Sequence, residues 1–373
     1  MKRTVVHNGI LITPKERVDG GWLLVEDGRI AALGSGVPPA ADLAIDAAGR
    51  FIAPGFIDLH AQGFRGYDLW DPSQEDFVKA TRQMASTGVT AAQASVDAVP
   101  EVCRLMRPRI GRSDGGCRLL GLYFEVPFIS LEKRGAIPPD RVRPPSVDLA
   151  RQIMEWSRGI LSMITIAPEQ PGALDLVRLF RQAAGPCGSV VVALGHTKAT
   201  YEEALAGIEA GMTHCTHLFN AMPPVLHREP GAAGALLTRP EASVELVCDG
   251  IHLHPAVVRV AVACKGAART CLITDCVSAR DRDVSSGAPR LPDGTLAGSV
   301  LSMDRAVANV QRFAGVSLPE AVEMATLSPA RAVGCDKTKG SLAPGKDADV
   351  VLFDADMHVS MTMIGGEAAW QAE

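Results

Sequence analysis

The sequence predicts an α/β protein: a (β/α)8 barrel of the TIM type carrying a small β-sandwich built from both chain termini. Three observations lead there. Across residues 53–337 short apolar runs alternate with amphipathic stretches, close to eight times over, and repeated strand-plus-helix units close into a parallel barrel. Residues 1–52 and 338–373 read instead as short strands joined by turns, with too little apolar surface to fold alone. Finally, Glu125, His196, His217 and Asp275 each follow a separate apolar run, and a barrel turns the ends of its strands toward one mouth.

At the N-terminus, residues 4–13, 21–25 and 29–33 are strand-like, with Glu26-Asp27-Gly28 as a hairpin turn. Residues 347–373 have the same character, with strands at 350–353 and 359–364 before a Gly365-Gly366 turn. Pro54-Gly55 and Ala343-Pro344-Gly345-Lys346 mark the crossings into and out of the barrel. Inside it, strand 56–59 leads to helix 75–87, strand 89–92 to helix 99–111, and strand 119–124 to helix 146–157. Strand 163–166 then leads to helix 172–184, strand 190–193 to helix 201–210, and strand 213–215 to a loop. Strand 244–247 leads to helix 255–264, and strand 271–273 to a late helical region.

The 373 residues are 47% hydrophobic, ample for a large core. A net charge of −5 and the lack of any Lys/Arg-rich run exclude a basic nucleic-acid footprint. No apolar run reaches the roughly 18 residues that span a bilayer, and the N-terminal stretch goes straight into strand-like alternation. Nine cysteines stand singly, with no C-x-x-C pair, as suits a reducing compartment. The expectation is a cytoplasmic protein whose partner is a small molecule held by a few placed groups, with no nucleic acid and no membrane.

The chemistry concentrates in Leu194-Gly195-His196-Thr197 and in Thr213-His214-Cys215-Thr216-His217-Leu218-Phe219-Asn220-Ala221-Met222. Two imidazoles and a carboxylate give zinc three protein ligands and leave a fourth position for water, as hydrolytic zinc needs. Taken singly, any of these residues is more often a hydrogen-bonded structural group. Several together, each at a strand end, reverse those odds.

Pro54-Gly55-Phe56-Ile57-Asp58-Leu59-His60-Ala61-Gln62-Gly63 resembles the first-strand signature of the amidohydrolase superfamily. Glu125, His196, the Thr-His-Leu-Phe-Asn-Ala-Met run, Arg228-Glu229-Pro230-Gly231, Asp249-Gly250-Ile251-His252 and Thr274-Asp275 follow in an order similar to the N-acetylglucosamine-6-phosphate deacetylase family. The likeness covers nearly the whole chain. It implies Glu125, His196 and His217 as ligands of one Zn²⁺ per subunit, and Asp275 as the general base and acid. It implies His252 as a group that polarises the substrate or holds its phosphate, with Asn220, Ala221 and Arg228 as phosphate contacts. In that family the arginine reaches across a subunit interface, which implies a homodimer or a dimer-based tetramer. His214 is read as structural, and His254 as a residue at a helix start.

Several positions depart from the pattern. Gln62 replaces the second histidine of His-x-His, and an amide oxygen is a weaker zinc donor than imidazole. His60, Gln62 and Asp275 are therefore the group for a second, weaker ion. Val126 stands where the family has glycine, and Ile137 where it has a histidine touching sugar hydroxyls. Cys276-Val277-Ser278-Ala279-Arg280 differs from the small-residue segment usual after the catalytic aspartate. The substrate implied is an N-acetyl amino-sugar 6-phosphate, releasing acetate. N-acetylgalactosamine-6-phosphate, an N-acyl amino acid and a catalytically silent sugar-phosphate binder stay open as alternatives.

Overall fold

The structure is a computed structural model and describes residues 2–14, 16–280 and 282–372. Met1, Lys15 and Glu373, within the segments expected to form the terminal sandwich, lie outside the described residues, as does Asp281.

Eight parallel strands form the barrel in sequence order. They are β1 (Phe56–Ala61), β2 (Val89–Ser95), β3 (Arg118–Phe124), β4 (Leu161–Ile166), β5 (Val191–Leu194), β6 (His214–Cys215), β7 (Ser243–Val247) and β8 (Thr270–Ile273). The ring closes between β8 and β1: Asp275 N donates to His60 O, and Gln62 N to Cys276 O. Nearly every strand residue is buried, because helices cover the outer face and side chains fill the interior. That double burial is why these strands read as largely apolar runs, with polar residues such as Asp58, His60 and Glu245 as exceptions.

The covering helices start and stop where the chain's capping chemistry dictates. Helix Tyr201–Ala210 opens on a capping box, with Thr200 Oγ1 accepting from Glu203 N and Glu203 Oε2 accepting from Thr200 N. It ends at Gly211, whose φ of +123° suits glycine. His254 caps helix Pro255–Lys265, its ring nitrogen accepting from Ala256 N, so it does sit at a helix start.

Two elements differ from expectation. The helix expected at 99–111 stops at Met106 and continues as a 3-10 turn, Arg107–Arg109. Pro108 lacks a backbone donor and crowds the preceding turn. The segment after β6, expected to be only a loop, contains helix Gly231–Thr238. Its sequence, GAAGALLT, is buried on most sides, so it shows no polar face to mark a helical period.

Both termini meet in a second, eight-stranded sheet. Strand Phe51–Pro54 lies at its centre, parallel to Arg3–Ile12 on one side and antiparallel to Val350–Phe353 on the other. Arg3–Ile12 continues the sheet to Arg17–Glu26 and Arg29–Ser35. Asp27 and Gly28 make the hairpin turn with φ of +47° and +80°, the positive pair that matches strand twist. Leu11, Leu23, Ile30, Ile52, Val350 and Leu352 form this sheet's own buried cluster. Among the described residues, no helix is long and apolar enough to cross a membrane.

Candidate metal centre and active site

A cavity of about 470 Å³ opens at the C-terminal ends of the barrel strands, where a parallel barrel places its chemistry. Glu125 enters it directly after β3, His196 just after β5, His217 after β6 and Asp275 after β8. Three of them hold left-handed backbone: His196 at φ +46°, His217 at +24° and Asp275 at +50°. Non-glycine residues adopt such φ at a cost of about 1–3 kcal/mol each, and a cluster of them marks a functional site. Gly195, by contrast, is required by space, since a Cβ there would lie 2.5 Å from the Thr216 side chain.

The donor atoms converge. His217 Nε2 lies 3.0 Å from His196 Nε2, and Glu125 Oε1 lies 3.3 Å from His196 Nε2 and 3.4 Å from His217 Nε2. Zinc bonds of 2.0–2.1 Å in tetrahedral array put neighbouring ligand atoms about 3.3 Å apart. The triangle of Glu125, His196 and His217 therefore fits a small divalent cation. His196 Nδ1 donates to Lys133 O at 2.8 Å, which leaves its Nε2 lone pair for the site. Ser95 Oγ donates to Glu125 Oε2 at 3.3 Å.

His60, in β1, flanks the triangle. Its Nε2 lies 3.4 Å from Glu125 Oε2 and 3.6 Å from Asp275 Oδ1, fully buried and without a hydrogen bond. Gln62 lines the same cavity. In the metal-free protein, burial would lower His60, but the charges of Glu125 and Glu245 outweigh it and hold the imidazole well above its usual value. Glu125 shows the converse: burial pushes it up, and His60, His196 and His217 pull it well below the carboxylate range. Burial chiefly raises Asp275, against the opposing charge of His60. A polar group without a partner, among charges of opposite sign, is the local chemistry of a cation site.

The other expected residues divide. His252 faces the cavity, its Nδ1 2.6 Å from Asp249 Oδ2, while Asp249 Oδ1 accepts the backbone N–H groups of Ile251 and His252. Asn220, Ala221 and Ile137 line the cavity too. Arg228 does not. It sits exposed on the loop before helix Gly231–Thr238, its guanidinium 2.6 Å from His227 Nε2. His214 lies buried in β6, bonded to Ser243 and Glu245.

Sequence reasoning missed Glu245, a fully buried carboxylate in β7 that binds three partners and is held down to about 2, against burial, chiefly by the charge of His60. One signal was available: a lone glutamate inside Val244-Glu245-Leu246-Val247 is a charge that burial forbids unless it is partnered. Also missed were Trp70, Arg282 and the Asp97–Arg141 ion pair on the cavity wall.

The model of the amidohydrolase family matches residues 51–369, so the chain belongs to that family and is a hydrolase. Within it, the chain is similar to deacetylases of amino-sugar phosphates. It is 34% identical to N-acetylgalactosamine-6-phosphate deacetylase of Escherichia coli O157:H7, over 96% of this chain and 97% of the relative. It is 30% identical to N-acetylglucosamine-6-phosphate deacetylase of Bacillus subtilis (strain 168), over 96% and 95%. Among solved structures, N-acetyl-D-glucosamine-6-phosphate deacetylase of Mycobacterium smegmatis, a variant in complex with N-acetyl-D-glucosamine-6-phosphate, superimposes with a TM-score of 0.89 at 32% identity, covering 99% of this chain and 100% of the other. The Thermotoga maritima enzyme gives 0.86 at 31%, with the same coverage.

Proposed function

We propose that the chain is an N-acetylglucosamine-6-phosphate deacetylase, hydrolysing the acetamide to glucosamine-6-phosphate and acetate. One observation carries this: Glu125, His196 and His217 converge in a cavity that Asp275 and His252 also face. Relatives of that name across the same family support it.

Glu125, His196 and His217 would hold one Zn²⁺ per subunit, with His60, Gln62 and Asp275 as the weaker seat. Bound there, the ion supplies Lewis acidity, polarising a carbonyl and bringing the pKa of water to about 7. Asp275 takes a proton from the attacking water as its oxygen bonds to the acetyl carbon. It then delivers that proton to the amide nitrogen as the C–N bond breaks, so the amine leaves neutral and the water oxygen stays in acetate. In the metal-free protein burial raises Asp275, and a cation bound beside it would favour the ionised, proton-accepting form. His252, oriented through Nδ1 by Asp249, polarises the substrate or holds its phosphate. Asn220 and the backbone of Ala221 hold phosphate, and Ile137 lies against the sugar.

Arg228, exposed outside the cavity, is assigned to the neighbouring site of a homodimer or dimer-based tetramer, where its guanidinium would clamp phosphate oxygens. Residues 1–52 and 338–373 form the supporting domain and 53–337 the catalytic one. Nine free cysteines agree with a cytoplasmic location.

A second reading, N-acetylgalactosamine-6-phosphate as substrate, rests on the Escherichia coli relative of that activity, which at 34% identity is as similar as relatives named for the glucosamine epimer. Acetate release from both epimers, with and without 6-phosphate, and from an N-acetyl amino acid tests both readings, alongside bound-metal analysis. The glucosamine phosphate is expected to react fastest. A faster galactosamine phosphate moves the assignment to the second reading, and metal and sugar-phosphate binding without acetate release makes the chain a silent binder.

A further inference from the structure

Glu245 has no part in the chemistry just described, yet it touches the site from beneath. Its Oε2 lies 3.1 Å from His60 Nδ1 and accepts the backbone N–H of His217 at 3.0 Å. Its Oε1 lies 3.1 Å from His214 Nε2. Glu245 and His60 are both fully buried.

We propose that Glu245 is a positioning residue: it keeps a proton on His60 Nδ1, so that Nε2 is the atom facing Glu125 and Asp275, and it seats the His217 backbone with the same oxygen. An ionised carboxylate only accepts hydrogen bonds, so the ring nitrogen facing it must be the donor. The other nitrogen then turns toward the cavity, 3.4 Å from Glu125 Oε2 and 3.6 Å from Asp275 Oδ1. A carboxylate behind an imidazole fixes its orientation and raises its basicity. One side chain on β7 thus sets a ring on β1 and the strained turn after β6, where His217 stands at φ +24°. His214 does not need Glu245 in the same way, because Ser243 Oγ lies 2.7 Å from its Nδ1 and serves either tautomer.

This assignment rests on the reading of Glu125, His196 and His217 as metal ligands, and the experiment separates the two. Glu245→Gln keeps volume and an acceptor for His60 while removing the charge, and its amide nitrogen can donate to His214 Nε2. Two measurements are made on the zinc-loaded and the metal-stripped enzyme. In ¹⁵N-histidine NMR, with His60→Asn used for assignment, His60 Nδ1 is expected to carry a proton in the wild type. By chelator competition, Glu245→Gln is expected to bind zinc 10–100-fold more weakly, a larger loss than the fall in metal-free melting accounts for, with kcat falling more than KM rises.

A wild-type His60 Nδ1 without a proton overturns the proposal. So does a variant that keeps wild-type zinc affinity, or one whose affinity falls only in step with metal-free melting. If the variant does not fold, the wild-type spectrum decides. If the wild type takes up no zinc, the metal reading falls, and the Nδ1 proton, read at a pH where the ring has lost its other proton, still judges Glu245.

Discussion

The barrel mouth and the terminal sheet solve opposite problems with the same chain. At the mouth, buried ionisable groups crowd together and His196, His217 and Asp275 carry strained backbone. In the terminal sheet, Leu11, Ile52, Val350 and Leu352 pack apolar against apolar. The first region holds charges where water is excluded and is expected to cost stability. The second returns it by burial, at roughly 25 cal/mol per Å² of apolar surface. Function and stability are thus separated in space, and substitutions in the two regions should have opposite signatures.

The largest contrast is expected at Asp275. Asp275→Asn should lower kcat by 10²–10⁴, the range for a general acid–base group, while bound metal and folding stay close to wild type. Acetate release and metal content on the same sample check this. Turnover near the wild-type rate would remove Asp275 from the mechanism.

Leu352→Ala should do the reverse. Leu352 is 2% exposed, paired with Ile52 across the central strands. Its truncation is expected to cost about 2–5 kcal/mol of stability, read by denaturant unfolding, with kcat per folded molecule unchanged. A loss of activity without a loss of stability would mean that the two regions are coupled.

The smallest effect concerns pH. Asp58, beneath the mouth, is fully buried and raised to about 6, chiefly by burial, despite hydrogen bonds from Thr274 and His60. A raised carboxyl favours the protonated folded state, so its contribution is full below pH 3.8 and is lost as pH rises to about 6. The loss is about 3 kcal/mol at most. In metal-free protein, Asp58→Asn should flatten the stability curve across that window. An unchanged curve would mean that Asp58 titrates normally.

How much was legible follows the same division. Glu125, His196, His217 and Asp275 could be found because each ends an apolar run, and strand ends in a barrel are where side chains meet. Their convergence within 3.0–3.4 Å for the three ligand atoms needed the fold, since it joins β3, β5 and β6. Glu245 escaped because period-two reading treats one polar residue in a strand as outward-facing, whereas β7 is buried on both faces. Helix Gly231–Thr238 escaped because burial erased its amphipathic pattern. Arg228 matched a motif yet sits away from its own cavity, a placement that sequence order alone does not encode.

The central position of Phe51–Pro54 bears on how the molecule is made. Its antiparallel neighbour, Val350–Phe353, lies some three hundred residues downstream, so this strand must wait for all of those residues to be made with one edge bare. Pairings across so long a stretch of chain form late, and an unpaired edge invites other chains. We expect a product ending at residue 345 to be cut rapidly by protease within 1–54 and to aggregate, and adding a peptide of residues 346–373 to protect it. Equal resistance of the truncated chain and of residues 1–373 would show that the N-terminal strands are held without their late partner.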